Sequence, residues 1–291
     1  MHRQSAPERL LSSLNYILLF LIGALMIFPF LYIFSVSFSS LSDYMSNDLL
    51  LWPKHWVADA YSYILSSKNF IRSLGVTVFI TVAGTIVNLF FTATMAYALS
   101  RPVKGQRVLL FFVLFTILFN AGMIPTYLIV KATGLLNTLW ALIIPSAISP
   151  FYLIVMRQFF ASIPEELHDA AVMDGANEIQ IFWKVVLPLS KPALAAFGLF
   201  YAVLHWNNYF AGILYLNDPA LWPIQVVLRQ IVLVNEPNAA LGSSAQLLEN
   251  PPPPETIQMA AILLATLPIL LVYPFLQKHF AKGVMLGSVK G

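Results

Sequence analysis

Six apolar runs without a single Asp, Glu, Lys or Arg dominate this sequence and restrict the folds open to it. In chain order they cover 10–42, 73–100, 108–130, 132–156, 192–217 and 256–277. A helix needs about 20 apolar residues to cross the ~30 Å hydrocarbon core of a bilayer, and each run is long enough. The runs therefore predict an all-α, polytopic membrane protein with six transmembrane helices.

The overall balance of residue types agrees with a chain surrounded by membrane lipid. Only 10% of the 291 residues are charged and 59% are hydrophobic, whereas about 25% of an average soluble domain is charged. The net charge is +3, but the basic residues are scattered between apolar runs, which argues against nucleic-acid binding. There is no cysteine, so disulfides and thiolate metal sites are excluded, and no other metal site is predicted.

The distribution of Lys and Arg predicts the orientation of the spans. With the N-terminus inside and six spans, eleven of the sixteen Lys and Arg residues fall in inside segments and five outside, as the positive-inside rule requires. Segment 219–234 contains Arg229 and is expected to be amphipathic and outside the membrane core, since a seventh span would oppose that rule. Both termini and the loop 162–190 are thus expected in the cytoplasm, within a single permease domain over 1–291.

The loop 162–190 contrasts with its apolar surroundings because it is rich in acids. Ser162 and Glu165 have the spacing of a capping box, in which each side chain bonds the backbone of the other residue. Pro164 falls in the first turn, where its missing N–H does no harm. These signals predict a short helix over 163–174.

A second short helix is predicted after a glycine turn. Gly175 is placed to end the first helix, since glycine adopts the left-handed conformation at little cost. Asn177 then has the position of an N-cap, with Gln180 three residues further on, and Pro188 is expected to end the helix. The apolar face of this helix is predicted to contain Ile179, Phe182, Trp183 and Val186.

The sequence "DAAVMDGANEIQIFWKVVLP" in this loop resembles the EAA loop of ABC importer permeases. The matching residues are Asp169, Ala170, Ala171, Gly175, Val185, Leu187 and Pro188. The departures are Asp for the usual Glu at position 169 and Val for the usual Ile at position 185. "GLLNTLWALIIP", "HWNNYF" and "KGVMLGSVKG" resemble carbohydrate-importer permeases of the maltose-permease (MalG) type, nearest to the YtcP/LplC-like group and the alginate importer permeases.

This resemblance implies a MetI-like permease fold and a role in ATP-driven import of sugars, in particular oligosaccharides, including acidic ones of the alginate type. The implied partners are a second homologous permease, two ATPase subunits and an extracytoplasmic solute-binding protein, in a bacterial cytoplasmic (inner) membrane. No cofactor is expected on this chain, because ATP and Mg²⁺ would be bound by the ATPase. In the family the loop forms a coupling helix that docks in the ATPase. The residues expected to form this contact are Glu165, Glu166, Asp169, Ala170, Ala171, Asp174, Gly175, Leu187 and Pro188.

Missing motifs support a transport subunit rather than an enzyme. No G-x-x-x-x-G-K-[ST] phosphate loop occurs, so nucleotide binding is not expected on this chain. A membrane-embedded enzyme would need a catalytic group, and no such constellation is present. The alternative of a stand-alone secondary transporter or channel for a small polar solute is weakened, because the runs lack the ionisable residues that couple such transport.

His205 is the one titratable residue of note within a run, and it has two interpretations. It is either a neutral histidine hydrogen-bonded inside the helix bundle, or part of a polar wall of the translocation path. In the second case the wall would include Trp206, Asn207, Asn208 and Tyr209, because amides and aromatic rings suit the hydroxyls and apolar faces of a sugar.

Two further asparagines and a glycine lie in the apolar runs. Asn88 and Asn120 are expected to form hydrogen bonds between helices, which is the usual role of uncharged polar residues in a membrane bundle. Gly84 is expected to permit a close approach of two helices.

Overall fold

The computed structural model describes residues 6–46, 50–234, 240–242 and 252–284, and within these ranges it contains helices and turns but no β-strand. The termini, whose side of the membrane is predicted above, lie partly outside the described residues. The α-helices are α1 (Ala6–Ser37), α2 (Leu41–Ser46), α3 (Asp59–Ser66), α4 (Lys68–Ser100), α5 (Gln106–Leu118), α6 (Met123–Ala132), α7 (Pro150–Ala161), α8 (Glu165–Met173), α9 (Glu178–Ile181), α10 (Leu187–Leu189), α11 (Lys191–Trp206), α12 (Phe210–Tyr215), α13 (Ile224–Val232) and α14 (Pro254–Val284). Tighter 3₁₀ turns form at Leu139–Leu142, Ile144–Ser146 and Pro219–Leu221, and a wider π-helical turn forms at Phe182–Val186.

Three described helices are long and apolar enough to cross a membrane unaided: Leu11–Ser37 within α1, the whole of α4, and Pro254–Val272 within α14. Three bent pairs of helices raise the number to six if each pair is one span. The predicted all-α fold is therefore confirmed, and the number of candidate spans reaches the predicted six when each bent pair is counted as one.

The break between α5 and α6 turns the chain by 118°. Gly122 has a φ of 84°, a left-handed value that glycine adopts without strain. The Oδ1 atom of Asn120 accepts a hydrogen bond of 2.8 Å from the N–H of Gly122. Asn120 thus stabilises a local turn, and the prediction that it bonds a neighbouring helix is wrong.

The other two broken pairs bend where the sequence contains proline. The 3₁₀ segment at 139–146, which contains Pro145, meets α7 at 52°, and Pro150 is the first residue of α7. Proline suits that first position because its missing N–H would have no helical partner there. The segment Glu178–Leu189 meets α11 at 81°, and Pro192 lies in the first turn of α11.

The chain divides into two compact units, one of Met1–Ile71 with Leu228–Thr266 and one of Arg72–Val227 with Leu267–Gly291. In the first unit, aromatic rings gather just beyond α1, and the rings of Phe38 and Tyr61 stack at 4.6 Å. The hydroxyls of Ser37 and Tyr61 are 2.7 Å apart, which fixes the end of α1 to α3.

The second unit contains the packed helices that support the loop. Asn88 of α4 donates through Nδ2 to the carbonyl of Ser146 at 2.5 Å, and its Oδ1 lies 2.7 Å from Nε2 of His205 in α11. A Cβ atom on Gly84 would lie only 2.5 Å from that same nitrogen. The predictions of an interhelical hydrogen bond at Asn88 and of a close approach at Gly84 are both confirmed.

Helix α13 accounts for the apolar segment that was not assigned to a span. It has 9 residues, about 14 Å at the helical rise, which is too short to cross the membrane. Ile224, Val227 and Ile231 are buried, whereas Arg229 is exposed. The predicted amphipathic character is confirmed.

Candidate functional site

The first helix of the loop, α8, begins later than the sequence predicts. Ser162 still closes α7: its backbone is right-handed helical and its hydroxyl donates to the carbonyl of Phe159 at 2.7 Å. Proline disfavours a helical backbone at the residue before it, which explains why α8 does not begin at Ile163. Pro164 occupies the N-cap of α8, and the predicted capping box of Ser162 and Glu165 is wrong.

Gly175 ends α8 as predicted. Its φ is 81°, its N–H donates to the carbonyl of Val172 at 2.9 Å, and the N–H of Ala176 donates to the carbonyl of Ala171 at 3.0 Å. This pair of bonds is the Schellman motif, which satisfies the last carbonyls of a helix. No heavy atom lies within 4 Å of a Cβ built on Gly175, so its backbone conformation rather than space requires glycine.

The second half of the loop begins with the predicted cap. Asn177 accepts a hydrogen bond from the N–H of Gln180 at 2.9 Å, and the side chain of Gln180 accepts from the N–H of Asn177 at 3.0 Å. After α9 the chain widens into the π-helical turn and continues through α10 to Leu189. Pro188 therefore does not end the helix. In a regular α-helix the ring of Pro188 would clash with the carbonyl four residues earlier, which is that of Lys184. Lys184 lies inside the wider π-helical turn, so the helix can continue past the proline.

The two halves of the loop differ in what they bury. Ile181, Phe182 and Val186 are buried in a core cluster with residues of α4, α7 and α11. Ile179 and Trp183 are instead 70% and 56% exposed, so the predicted apolar face was only half correct. By contrast, no residue of α8 is buried.

Hydrogen bonds connect the second half of the loop to the end of α4, and the first half of the loop to the second. The hydroxyl of Tyr97 donates to Oε2 of Glu178 at 2.6 Å, and Nε2 of His168 lies 3.1 Å from Oε1 of the same carboxylate. The bond from Tyr97 lowers the pKa of Glu178, partial burial opposes this, and His168 adds to the lowering. The guanidinium of Arg101 lies over the Tyr97 ring, 5.4 Å from its centre. A groove of about 730 Å³ lies along this junction.

The residues expected to contact the ATPase are brought together on one loop, mostly at its surface. Ala171 and Leu187 are the exceptions, because they are half-buried and pack against the core cluster. The exposed members are Glu165, Glu166, Asp169, Ala170, Asp174, Gly175 and Pro188. Asp169 has a basic neighbour within the chain, since its Oδ1 lies 3.6 Å from Nδ1 of His168.

Helix α8 also exposes apolar side chains beside its acids. Leu167 is 43% exposed, Val172 49% and Met173 87%. A patch that mixes exposed apolar and charged residues is typical of a surface that another protein covers. Within the described ranges, no group of three His, Cys, Asp or Glu side chains is placed to hold a metal ion.

The sequence that forms this exposed helix–glycine–helix loop matches a known family. The family of binding-protein-dependent transport system inner membrane components matches residues 95–286, which include the entire loop. The chain belongs to this family. The predicted relationship to ABC importer permeases is therefore confirmed, and this protein is a membrane-spanning permease subunit of a transport system.

Individual relatives of the permease match along its whole length. Protein LplC of Bacillus subtilis (strain 168) is 51% identical over 292 residues, which cover 100% of this chain and 98% of LplC. The polygalacturonan/rhamnogalacturonan transport system permease protein YtcP of the same organism is 50% identical over 286 residues, covering 98% and 99%.

A solved structure confirms the fold. It comes from a bacterial ABC transporter involved in the import of the acidic polysaccharide alginate, and it superimposes on this permease with a TM-score of 0.91 at 37% identity. The match covers 96% of this chain and 100% of that one.

The polar residues predicted to line a sugar path do not share one surface of the permease. His205 and Trp206 are the last two residues of α11, and both are buried. The ring of His205 forms a hydrogen bond with Asn88 and lies against Gly84. Asn207 is exposed, but its Nδ2 donates a hydrogen bond of 2.9 Å to the carbonyl of Val203 in its own helix turn. Asn208 and Tyr209 are half-buried. A role of these residues in the substrate path remains a prediction.

Sequence reasoning missed the residues that fasten the loop. Tyr97 and Glu178 are 81 positions apart, and His168 and Glu178 are 10 apart on two different helices. No local pattern connects such pairs. The only available signal was a tyrosine near the end of a long apolar run, which is a common position for a residue at the membrane surface.

Proposed function

We propose that this permease forms, with a second homologous permease, the membrane path of an ABC importer for acidic oligosaccharides. Its loop 162–190 docks on an ATPase subunit at the cytoplasmic face. Two ATPase subunits bind ATP and Mg²⁺ and perform the hydrolysis, and an extracytoplasmic solute-binding protein delivers the substrate. The chain itself is not an enzyme and converts closure of the ATPases into a change of access across the inner membrane.

The exposure of α8 is the observation that carries the docking proposal. An unburied helix with Met173 exposed and with acids at Glu165, Glu166 and Asp169 is poorly explained as a free surface. The two caps around Gly175 and Asn177 give the loop a defined shape, so it can fit a cleft as a preformed unit. We propose that a preformed loop of this kind transmits movement of the ATPase, because the capped turn and the contact of His168 with Glu178 connect its two halves.

The substrate class rests on the relatives. YtcP is described as a permease for polygalacturonan and rhamnogalacturonan, and the matching structure belongs to a transporter of alginate. These are acidic polysaccharides, and the permease resembles both proteins over nearly its full length. We therefore propose oligosaccharides that contain uronic acids as its substrates.

Orientation completes the proposal. Eleven of sixteen basic residues lie in the segments assigned to the inside, which supports cytoplasmic termini and a cytoplasmic loop. A reporter fused after Gly291 should be active in the cytoplasm. An active extracytoplasmic reporter at that position would contradict the docking proposal, since it would place the loop on the wrong side.

The main test is co-purification of the ATPase subunit through a tag on this chain. Asp169→Lys and Ala170→Trp alter exposed positions of α8, whereas Glu255→Gln alters an acid outside the loop as a control. Charge reversal at a docked contact is expected to reduce ATPase recovery about tenfold or more, since mispaired charges at an interface cost a few kcal/mol. If both α8 variants retain the ATPase as the control does, the loop is not the docking element.

The substrate is tested by uptake into cells that express the complete transporter. Oligogalacturonides and alginate oligosaccharides are compared with neutral maltodextrins of similar length. Import of an acidic series in preference to the neutral one is expected. Equal or preferential import of the maltodextrins would refute the proposed substrate class while leaving the docking proposal intact.

A further inference from the structure

The carboxylate of Glu178 is the point at which three separate elements meet. Glu178 belongs to α9. Its carboxylate accepts one hydrogen bond from the hydroxyl of Tyr97 in α4 and another from His168 in α8. Because a carboxylate only accepts hydrogen bonds, Nε2 of His168 must carry the proton in this contact. One side chain thus connects both halves of the loop to a transmembrane helix.

The end of α4 is fixed by hydrogen bonds to two neighbouring helices, so a movement of the loop can pass to those helices through α4. The carbonyl of Leu99 accepts hydrogen bonds from Nε of Arg157 at 2.8 Å and from Nε2 of Gln106 at 2.6 Å. These bonds connect α4 to the end of α7 and the start of α5. Movement applied at Tyr97 would therefore reach three membrane helices together.

The same helix leads to the polar contacts in the centre of the unit. Asn88 of α4 holds both the carbonyl of Ser146 and the ring of His205. A shift of α4 would move the segment that precedes α7 and also the end of α11. The apolar packing of Phe182 alone is a weaker transmitter, because hydrophobic contact is non-directional whereas a short hydrogen bond fixes an angle.

We propose that Tyr97 and Glu178, supported by His168, form a positioning clamp through which the ATPase-driven movement of the loop enters the transmembrane helices. This inference rests on the proposed docking of the loop on an ATPase. Neither Tyr97 nor Glu178 belongs to the EAA pattern of the sequence. The clamp positions the loop and takes no part in binding ATP or substrate.

Changes to single functional groups test the clamp in the complete complex, purified with its ATPase and reconstituted in liposomes. ATP hydrolysis is measured with and without the solute-binding protein loaded with oligogalacturonide. In Tyr97→Phe and Glu178→Gln the stimulation by the loaded binding protein should fall about threefold to tenfold, the size expected for one lost hydrogen bond. The amount of ATPase that co-purifies should not change.

A double mutant and two matched controls separate the clamp from a general loss of structure. If Tyr97 and Glu178 act through each other, the double variant should lose no more stimulation than either single variant. Tyr16→Phe and Glu255→Gln remove the same chemical groups elsewhere and should retain wild-type stimulation. Additive losses in the double variant would overturn the proposal.

Cross-linking gives a readout that a purely structural role would not produce. The chain has no native cysteine, so cysteines that replace Tyr97 and Glu178 are the only reactive pair in it. With cysteine-free partners, a short and reducible bis-thiosulfonate reagent should restore the stimulation that the reduced double variant has lost. Reduction should abolish it again. A cross-linked complex that stays uncoupled would contradict the clamp.

Failure of the clamp and failure of the docking proposal give different results. If the wild-type complex contains no ATPase, or if its hydrolysis never responds to the loaded binding protein, the proposed function is wrong. If the wild type responds normally and Tyr97→Phe responds equally well, only the clamp is refuted.

Discussion

The two halves of the loop 162–190 have similar lengths and opposite relations to the rest of the chain. Helix α8 contains no buried residue, although half-buried Ala171 packs against the core cluster, whereas the segment from α9 to α10 buries Ile181, Phe182 and Val186 in that cluster. Met173 and Phe182 illustrate this contrast, since Met173 is 87% exposed and Phe182 is 6% exposed, although Ile179 and Trp183 of the held half are exposed as well. The difference shows that one half is held by the permease itself, and it supports our proposal that the other half is held by a partner.

The largest effect should follow from a change in the held half. Phe182→Ala removes a buried ring, and such truncations cost about 3–5 kcal/mol in protein cores. We expect a clear drop in the thermal stability of the purified permease, measured by loss of the monodisperse peak after heating. Trp183→Ala is the matched control, because this neighbouring ring is 56% exposed and its loss should leave the melting point near that of the wild type.

Equal destabilisation by Phe182→Ala and Trp183→Ala would remove the contrast between the buried and exposed sides of this segment. It would mean that the π-helical turn does not direct its aromatic residues as described. The second half of the loop would then not be held by burial of Phe182, and its difference from α8 would be lost.

A smaller effect is expected at the turn that joins the halves. Gly175→Val places a β-branched residue at a φ of 81°, and the left-handed conformation costs an ordinary residue about 1–2 kcal/mol. The permease should still insert in the membrane, but transport should be uncoupled from ATP hydrolysis because the two halves no longer hold their angle. Gly75→Val is the control, since Gly75 lies in ordinary helix with open space around it.

Normal transport in Gly175→Val, with the ATPase bound, would show that the angle between the halves is not critical. The assay is uptake into proteoliposomes, compared at equal amounts of inserted permease. The loop would then be a docking surface but not a rigid transmitter.

The smallest effect is expected at Glu165. It is exposed in the first turn of α8, where a carboxylate interacts favourably with the helix dipole by roughly 0.3–1 kcal/mol. Glu165→Gln should therefore weaken ATPase recovery slightly, and less than Asp169→Lys does. A larger loss from Glu165→Gln than from Asp169→Lys would move the centre of the contact to the start of the helix.

The sequence was informative at several positions where a local rule applied. The number of spans follows from run length, and the caps at Gly175 and Asn177 follow from residue types that satisfy helix ends. The predicted capping box at Ser162 was wrong because the capping rule does not consider the preceding helix α7, whose C-cap is Ser162. The prediction for Asn120 was wrong for a similar reason, because the N–H of a nearby glycine gave its side chain a local hydrogen-bond partner.

Non-local contacts could not be predicted from the same patterns. Nothing near Tyr97 indicates Glu178, and nothing near Asn88 indicates His205, because each pair is set by how distant helices pack. The burial of Phe182 and the exposure of Trp183 also depend on the π-helical turn, which has no simple sequence signal. The candidate site was therefore found by motif, whereas its attachment to the membrane helices required the structure.

Cross-linking of the exposed half to the ATPase tests the central claim most directly. Single cysteines are introduced at Ala170 and Met173 in α8, and at Ile181 and Val186 in the held half, of a chain that has no cysteine of its own. A photoactivatable thiol reagent is attached in membranes that contain the full transporter. We expect adducts with the ATPase from positions 170 and 173 and none from 181 and 186. Adducts from the buried positions alone, or none from α8, would contradict it.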